Sequence, residues 1–444
     1  MVGLVVLVGL ALTPYVDPDS IGSLRRVDAD TLSFLTADLG FPSLAHNVLR
    51  LATGTERSVP GTQALNVGLF LVYAAACAAA CARAVDARLA PYASFVATLA
   101  PAFSRFHEAR ASVMAAASGA LAFALWLRSP RRDVLSVPVI AAIGLATLDN
   151  PLCLLWLVLL GWLAAPTGRA WASWIGAGLL LVAGQALPWL TVLGDRSTFY
   201  PADDSAFGFL ISACLLVAPI EVLRPSPAPE LRRWRQAAAV VFVLALLVVL
   251  SQRLAAWKIA VWFWPLIVVG GALGTASRAT PTRARQIWIF AAMVTLGRTL
   301  FDGPIKIGVD QQLFVGVVQG VKTRAAPGEA IVVIPSHHYV ELVTSGGLLA
   351  PRDVAWPTTA LPPWYPGLGE PDGRPVCVPP QGAVSWALVI ERPGTEADPM
   401  WKQGCSSCDL AEGFWRGGVW RCVSDGTVLP AHQVGAPAPG QPMR

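Results

Sequence analysis

The chain has 444 residues, 55% of them hydrophobic and 14% charged, with a formal net charge of +5 and mean hydropathy +0.55. Soluble globular chains carry about 25% charged residues, so this composition excludes an ordinary soluble domain and implies a polytopic membrane protein with a water-soluble last third. The positive balance comes mainly from arginines in short loops between apolar runs, which gives no support to a nucleic-acid partner.

The first apolar run, Val2 to Val16, has no basic segment before it. Asp17-Pro18-Asp19 follows where a signal-peptide cleavage site would carry small residues, so the run reads as a first transmembrane helix. It is shorter than the ~20 residues of a full span. Either this helix is tucked inside the bundle or the true start lies upstream. Further apolar runs fall near 64–82, 89–104, 111–127, 135–147, 152–165, 171–193, 207–223, 236–251, 259–276 and 286–300, which predicts eleven spans in all. The runs 135–147 and 152–165 are separated at Asp149-Asn150-Pro151, because polar groups and a proline are costly in hydrocarbon.

Arginine placement predicts orientation. One set of alternate loops holds Arg83, Arg88, Arg128, Arg131, Arg132, Arg169, Arg224, Arg232, Arg233, Arg235, Arg278, Arg283 and Arg285; the other holds most of the acids, with Arg25 and Arg26 as exceptions. The basic set should be cytoplasmic, as should the N-terminus, and the C-terminal domain should be extracytoplasmic. The outer loop 17–63 contains two amphipathic stretches, Thr31–Leu39 and Ser43–Ala52, with Leu44, Val48 and Leu49 on the apolar face of the second. Such segments tend to lie in the interface plane.

The tail changes character. Ala330–Pro335 and Ser385–Ile390 read as strands, and Gln311–Arg324 reads as a helix. Residues 301–434 are therefore expected to form a small α/β domain, and 435–444 a disordered tail. Cys77, Cys81, Cys153 and Cys214 fall in apolar runs as small helix-contact residues. Cys377, Cys405, Cys408 and Cys422 fall in the tail and suggest two disulfides with three possible pairings. Cys405-Ser406-Ser407-Cys408 also suits a redox pair or half a zinc site, although no thioredoxin-like context surrounds it.

The candidate chemistry lies at the predicted outer ends of the spans. Asp17 and Asp19 can supply a general base, a divalent-metal ligand, or both; the alternative is a helix-ending Asp-Pro turn. His107-Glu108-Ala109-Arg110, beside Arg105, groups ionisable residues at a span junction, where Glu108 can orient Arg110 and Arg110 can grip a phosphate. The alternative is an interfacial salt-bridge cluster. Asp149 and Asn150, then Asp203 and Asp204 near Tyr200, then Arg253 and Lys258 add polar groups on the same predicted face. Together they would form a cavity for a lipid-linked anionic substrate, while each alone reads as ordinary loop polarity. His337 and His338 lack a second ligand pair at recognisable spacing.

The segment Phe106–Leu127, which opens Phe-His-Glu-Ala-Arg, resembles bacterial GT-C glycosyltransferases of the dolichyl-phosphate-mannose-mannosyltransferase-like superfamily. There an aromatic residue precedes a Gln/His-Glu-Ala-Arg motif at the start of a transmembrane helix. Phe41-Pro42-Ser43-Leu44 with Gly54-Thr55-Glu56-Arg57 is similar to the family's first-loop pattern. Ala326-Pro327-Gly328-Glu329 is similar to the start of its extracytoplasmic domain. The family has adjacent acids after the first helix, whereas Pro18 separates Asp17 from Asp19 here, and a His-Pro-Pro pattern is reduced to Phe41-Pro42.

The resemblance implies a mainly α, GT-C-like transmembrane bundle over 1–300, with the small α/β domain beyond it. It also implies transfer of a sugar from a polyprenyl-phosphate donor to a glycan, lipid or protein acceptor at the extracytoplasmic face of a bacterial inner membrane. Asp17 would act as base, with Asp19 as second candidate, both also as ligands for Mg²⁺ or Mn²⁺. His107, Glu108, Arg110, Asp149, Asn150 and Lys258 would bind substrate. The altered first-loop motif makes a non-catalytic scaffold or lipid-binding subunit the alternative. A transporter is the third reading, and it predicts midplane charges and an internal repeat that the sequence does not display.

Overall fold

The structure is a computed structural model. It describes residues 44–55, 59–99, 112–192, 231–234, 236–237, 240–241, 256–300, 324–326, 329–334, 377, 380–390, 402, 404–414 and 417–427. These fall into two compact units, one helical up to residue 305 and one containing a sheet beyond it.

The helical unit contains α1 (Leu44–Thr53), α2 (Val59–Ala84), α3 (Ala90–Thr98), α4 (Ser112–Arg128), α5 (Val137–Asp149), α6 (Leu155–Ala164), α7 (Ala170–Val192), α8 (Ala256–Ala276) and α9 (Pro281–Leu300). The predicted runs from 64 to 193 and from 259 to 300 coincide with α2 to α9. Those near 2–16 and 207–223, and the stretch Thr31–Leu39, lie outside the described residues, as does nearly all of 236–251. Among the described residues one helical segment, Ala64–Ala84, is both long and apolar enough to cross a membrane. The segments Val113–Arg128, Val137–Asp149, Leu152–Ala164, Ala170–Gly184 and Trp262–Ala276 are apolar but shorter.

Small residues set the packing. α4 contacts α2, α5 and α8, and its Ala115, Ala116, Ala117, Ala120 and Ala122 are buried. Small side chains let helix backbones approach closely where no water drives association. Gly119 of α4 lies against the Trp156 indole, so a Cβ there would collide with the ring nitrogen. Trp156 cannot easily yield, because its ring sits 5.6 Å from Phe123 and 5.1 Å from Phe263. The outside is equally apolar. Trp171, Ile175, Leu179, Leu180 and Val182 on α7 are all at least half exposed, a surface suited to hydrocarbon rather than water.

The basic ends are tied locally. Arg132 donates to the Leu127 carbonyl and sits 5.7 Å from the Trp126 ring centre. Arg285 of α9 donates to the Tyr92 hydroxyl of α3 at 3.1 Å.

The second unit holds a four-stranded sheet: β1 (Ala330–Ile334), β2 (Val384–Ile390), β3 (Cys405–Phe414) and β4 (Gly417–Ser424), in the order β1-β2-β4-β3. β1 and β2 are parallel, and the other two pairs are antiparallel. β1 and β2 match the two predicted strands. β3 and β4 form a hairpin that composition did not announce, because β3 is polar and glycine-containing. The predicted helix Gln311–Arg324 lies outside the described residues except for Arg324. The Glu329 carboxylate accepts from the Ala326 amide at 2.8 Å and from the Trp386 indole N–H at 2.6 Å, which fastens the turn before β1 to β2. Arg324 pairs with Glu412 of β3.

Candidate functional site

The predicted outer-loop stretch enters the helical unit through α1. The residues α1 buries are Ala45, His46, Asn47 and Arg50, while Val48 and Leu51 are exposed. His46, Asn47 and Arg50 stand at i, i+1 and i+4, on one face of a helix. The polar face therefore points into protein and the apolar residues point out, the reverse of a helix on a soluble protein.

The buried polar face meets the break between α5 and α6. Asp149 closes α5. Asn150 follows with extended backbone, φ −151° and ψ 116°, the conformation favoured before proline. Pro151 then opens a short 3₁₀ turn over Pro151–Leu154, and the Asn150 side-chain oxygen accepts from the Leu152 amide at 3.0 Å. This is the division placed at Asp149-Asn150-Pro151 from sequence. It is not an exposed hairpin, however: Thr147, Asp149 and Asn150 are all at least 96% buried.

Asp149 Oδ1 accepts from the His46 backbone N–H at 2.9 Å, across 103 residues of sequence. The amides of a helix's first turn have no partner within the helix, and here a carboxylate from α5 serves one of them at the positive end of α1. The His46 ring nitrogen Nε2 lies 2.9 Å from Asn66 Oδ1 on α2. Burial lowers the His46 pKa from its ordinary 6.5 to about 4; the Asn66 hydrogen bond opposes that shift, and the Arg50 charge adds to it. His46 is therefore neutral near pH 7, with Nε2–H donating to Asn66. Among the described residues of the cluster, Arg50 and Asp149 are the basic and the acidic side chain, both deeply buried.

A second feature brackets the His107-Glu108-Ala109-Arg110 motif. The Val96 carbonyl accepts from the Trp264 indole of α8 at 2.9 Å, and the Ala97 carbonyl accepts from the Tyr73 hydroxyl of α2 at 2.9 Å. Both donors are buried. They satisfy carbonyls at the C-terminal end of α3, where helix geometry supplies no partner. The chain thus leaves α3 from a fixed point and re-enters at Ser112 of α4.

The predicted site residues divide accordingly. Asp149 and Asn150 are brought to the buried cluster. Lys258 lies on α8. Asp17, Asp19, His107, Glu108 and Arg110 lie outside the described residues, as do Asp203, Asp204, Arg253, His337 and His338. Sequence reasoning passed over His46, Asn47, Arg50 and Asn66. The available signal was a helix of high amphipathicity whose polar face holds histidine, asparagine and arginine rather than lysine and glutamate. Among the described residues the cluster offers one carboxylate, whose Oδ1 accepts the His46 N–H, whereas a hard divalent cation takes several oxygen ligands.

In the sheet unit the four tail cysteines pair as Cys377–Cys405 and Cys408–Cys422. Cys77, Cys81 and Cys153 are buried free thiols in the helical unit.

The sequence matches no family model and no curated protein. Among solved structures it is similar to the crystal structure of ArnT from Cupriavidus metallidurans bound to undecaprenyl phosphate. The identity is 14% and the TM-score 0.53, with 95% of this chain and 96% of that chain covered. The apo state of the same protein aligns over the same shares at 15% identity and a TM-score of 0.33. The first likeness shows a shared fold along nearly the whole of both chains.

Proposed function

We propose that this protein is an integral-membrane glycosyltransferase. It moves a sugar from a polyprenyl-phosphate donor to a glycan, lipid or protein acceptor at the extracytoplasmic face of a bacterial inner membrane. The observation that carries this reading is the fold shared along nearly the whole chain with ArnT, a protein solved with undecaprenyl phosphate bound. The buried polar cluster adds to it. Buried ionisable groups in a membrane bundle point to a site by default.

In this reading the reaction is a single inverting displacement. Asp17 takes the proton of the acceptor hydroxyl, with Asp19 beside it. Arg110 and Lys258 neutralise the departing phosphate, Glu108 orients Arg110, and His107 joins them against the donor. Asp149 and Asn150 complete the substrate-facing wall. Asp149 also fixes α1 through the His46 amide, and α1 belongs to the same predicted loop, 17–63, that carries Asp17. A Mg²⁺ or Mn²⁺ ion held by Asp17 and Asp19 would supply charge neutralisation at the phosphate.

The test uses purified protein in nanodiscs with a panel of polyprenyl-phosphate sugars and acceptors. Sugar transfer by the wild type and its loss in Asp17→Asn are expected. Transfer that survives Asp17→Asn would remove Asp17 as the base. A wild type that binds the donor lipid but transfers to none of the acceptors would favour a lipid-binding subunit.

A further inference from the structure

Four cysteine sulfurs meet at one point on the sheet, and a strand irregularity brings them there. Cys405 and Cys408 are three residues apart, so in a regular strand they would point to opposite faces. The register shifts between Cys405 and Ser407: Cys405 pairs with Ser424, Ser407 with Val423 and Cys408 with Cys422. One extra residue in β3 rephases the strand, as a β-bulge does. Both cysteines then face the same side as Cys422 and Ser424. Cys377 arrives ahead of β2 and closes the group.

All four Sγ atoms lie within 4.8 Å of one another. Thiolates around a tetrahedral zinc ion, at about 2.3 Å from the metal, stand about 3.8 Å apart. To share one ion, the sulfurs of each bonded pair must part to that spacing on reduction, while the farther ones close in by up to about an ångström. Cys377 and Cys422 are buried, while Cys405 and Cys408 are partly exposed, which supplies both a dry interior and an entry path. Trp420 packs on the cluster, and the Lys402 ammonium lies 4.2 Å from its ring centre. That positive charge offsets part of the −2 of a tetrathiolate zinc centre.

We propose that Cys377, Cys405, Cys408 and Cys422 form a tetrathiolate site for Zn²⁺ when both disulfides are reduced. The cluster then has two closed forms, two disulfides in an oxidising compartment and one metal centre in a thiol-rich one. A dithiol reductant gives each disulfide two electrons and two protons and becomes a disulfide itself. Metal binding then releases four thiol protons as four metal–thiolate bonds form. The sheet can thereby be held closed before its cysteines are oxidised. The proposal is independent of the sugar-transfer reading.

The test is a titration of full-length protein in detergent, reduced under anaerobic conditions and freed of reductant. Co²⁺ should produce the visible absorption of a tetrahedral thiolate site and saturate at one equivalent, and one equivalent of Zn²⁺ should abolish it. Oxidised protein should give no band. A variant with serine at Cys77, Cys81, Cys153 and Cys214 should keep the full signal, and Cys377→Ser with Cys408→Ser should lose it. The proposal fails if reduced wild type shows no band, or if the band survives the Cys377/Cys408 double variant. It fails equally if the reduced protein precipitates although Zn²⁺ is present, because the metal form should hold the sheet.

Discussion

Among the described residues, His46 carries a clear pH signature. Its folded pKa of about 4 lies below the ordinary 6.5, so the fold favours the neutral ring. The stability this contributes is complete above pH 6.5. It falls as the pH drops from about 6.5 toward about 4, and the difference amounts to about 3 kcal/mol. Thermal unfolding in detergent at steps from pH 7.5 to pH 4.5 should show the decline, and His46→Asn should flatten it. An unchanged slope in the variant would assign the titration to another group. The same residue explains why the cluster is easy to miss: a lone histidine and arginine on a short helix look like a solvated face until a neighbour is seen to cover them.

At the scale of elements, α1 is a short helix. Ten residues are marginal in isolation, so α1 depends on what it packs against. Asp149 serves one of its first-turn amides, and removing that acceptor leaves a buried N–H without it. Asp149→Ala should cost about 1–3 kcal/mol, and Asp149→Asn, which keeps an acceptor oxygen, should recover most of it. Differential scanning fluorimetry on the two variants checks this. Equal melting temperatures for Ala and Asn would show that the hydrogen bond contributes nothing. In the transfer assay Asp149→Ala should lose activity more than Asp149→Asn if α1 positions the loop that bears Asp17. The break between α5 and α6 shows the complementary case, where local sequence suffices. An acid, a capping asparagine and a proline in succession end one helix and start the next whatever surrounds them.

At the scale of the whole molecule, two kinds of stabilisation divide the chain. The helical unit relies on close approach of alanine- and glycine-rich surfaces and on tryptophan packing, with an apolar exterior. Among the described residues the core of the small sheet is Cys377, Ala387 and Cys422, and crosslinks spaced 28 and 14 residues apart tie its strands. Loop-closure entropy for those spacings gives about 3–4 kcal/mol each. Reduction in the presence of a chelator should therefore open the sheet unit to protease, read as new cleavages within 377–427 by mass spectrometry. Resistance equal to that of the oxidised protein would show that strand pairing alone holds it.

Hydropathy by itself determined the helical class, the position of most described helices and the two apolar strands, because apolar run length and period are local properties. The motif around Phe106–Arg110, together with the first-loop pattern, was enough to suggest the GT-C fold. Only tertiary structure decided that α1 turns its polar face inward, that Asp149 reaches a histidine amide 103 residues away, and that Cys377 pairs with Cys405. Each of these depends on a partner distant in sequence, and composition does not encode such distances. The break at Asp149-Asn150-Pro151 was legible as polar; that it lies buried as half of a cluster, rather than exposed as a hairpin, was settled by the packing of α1 against α5.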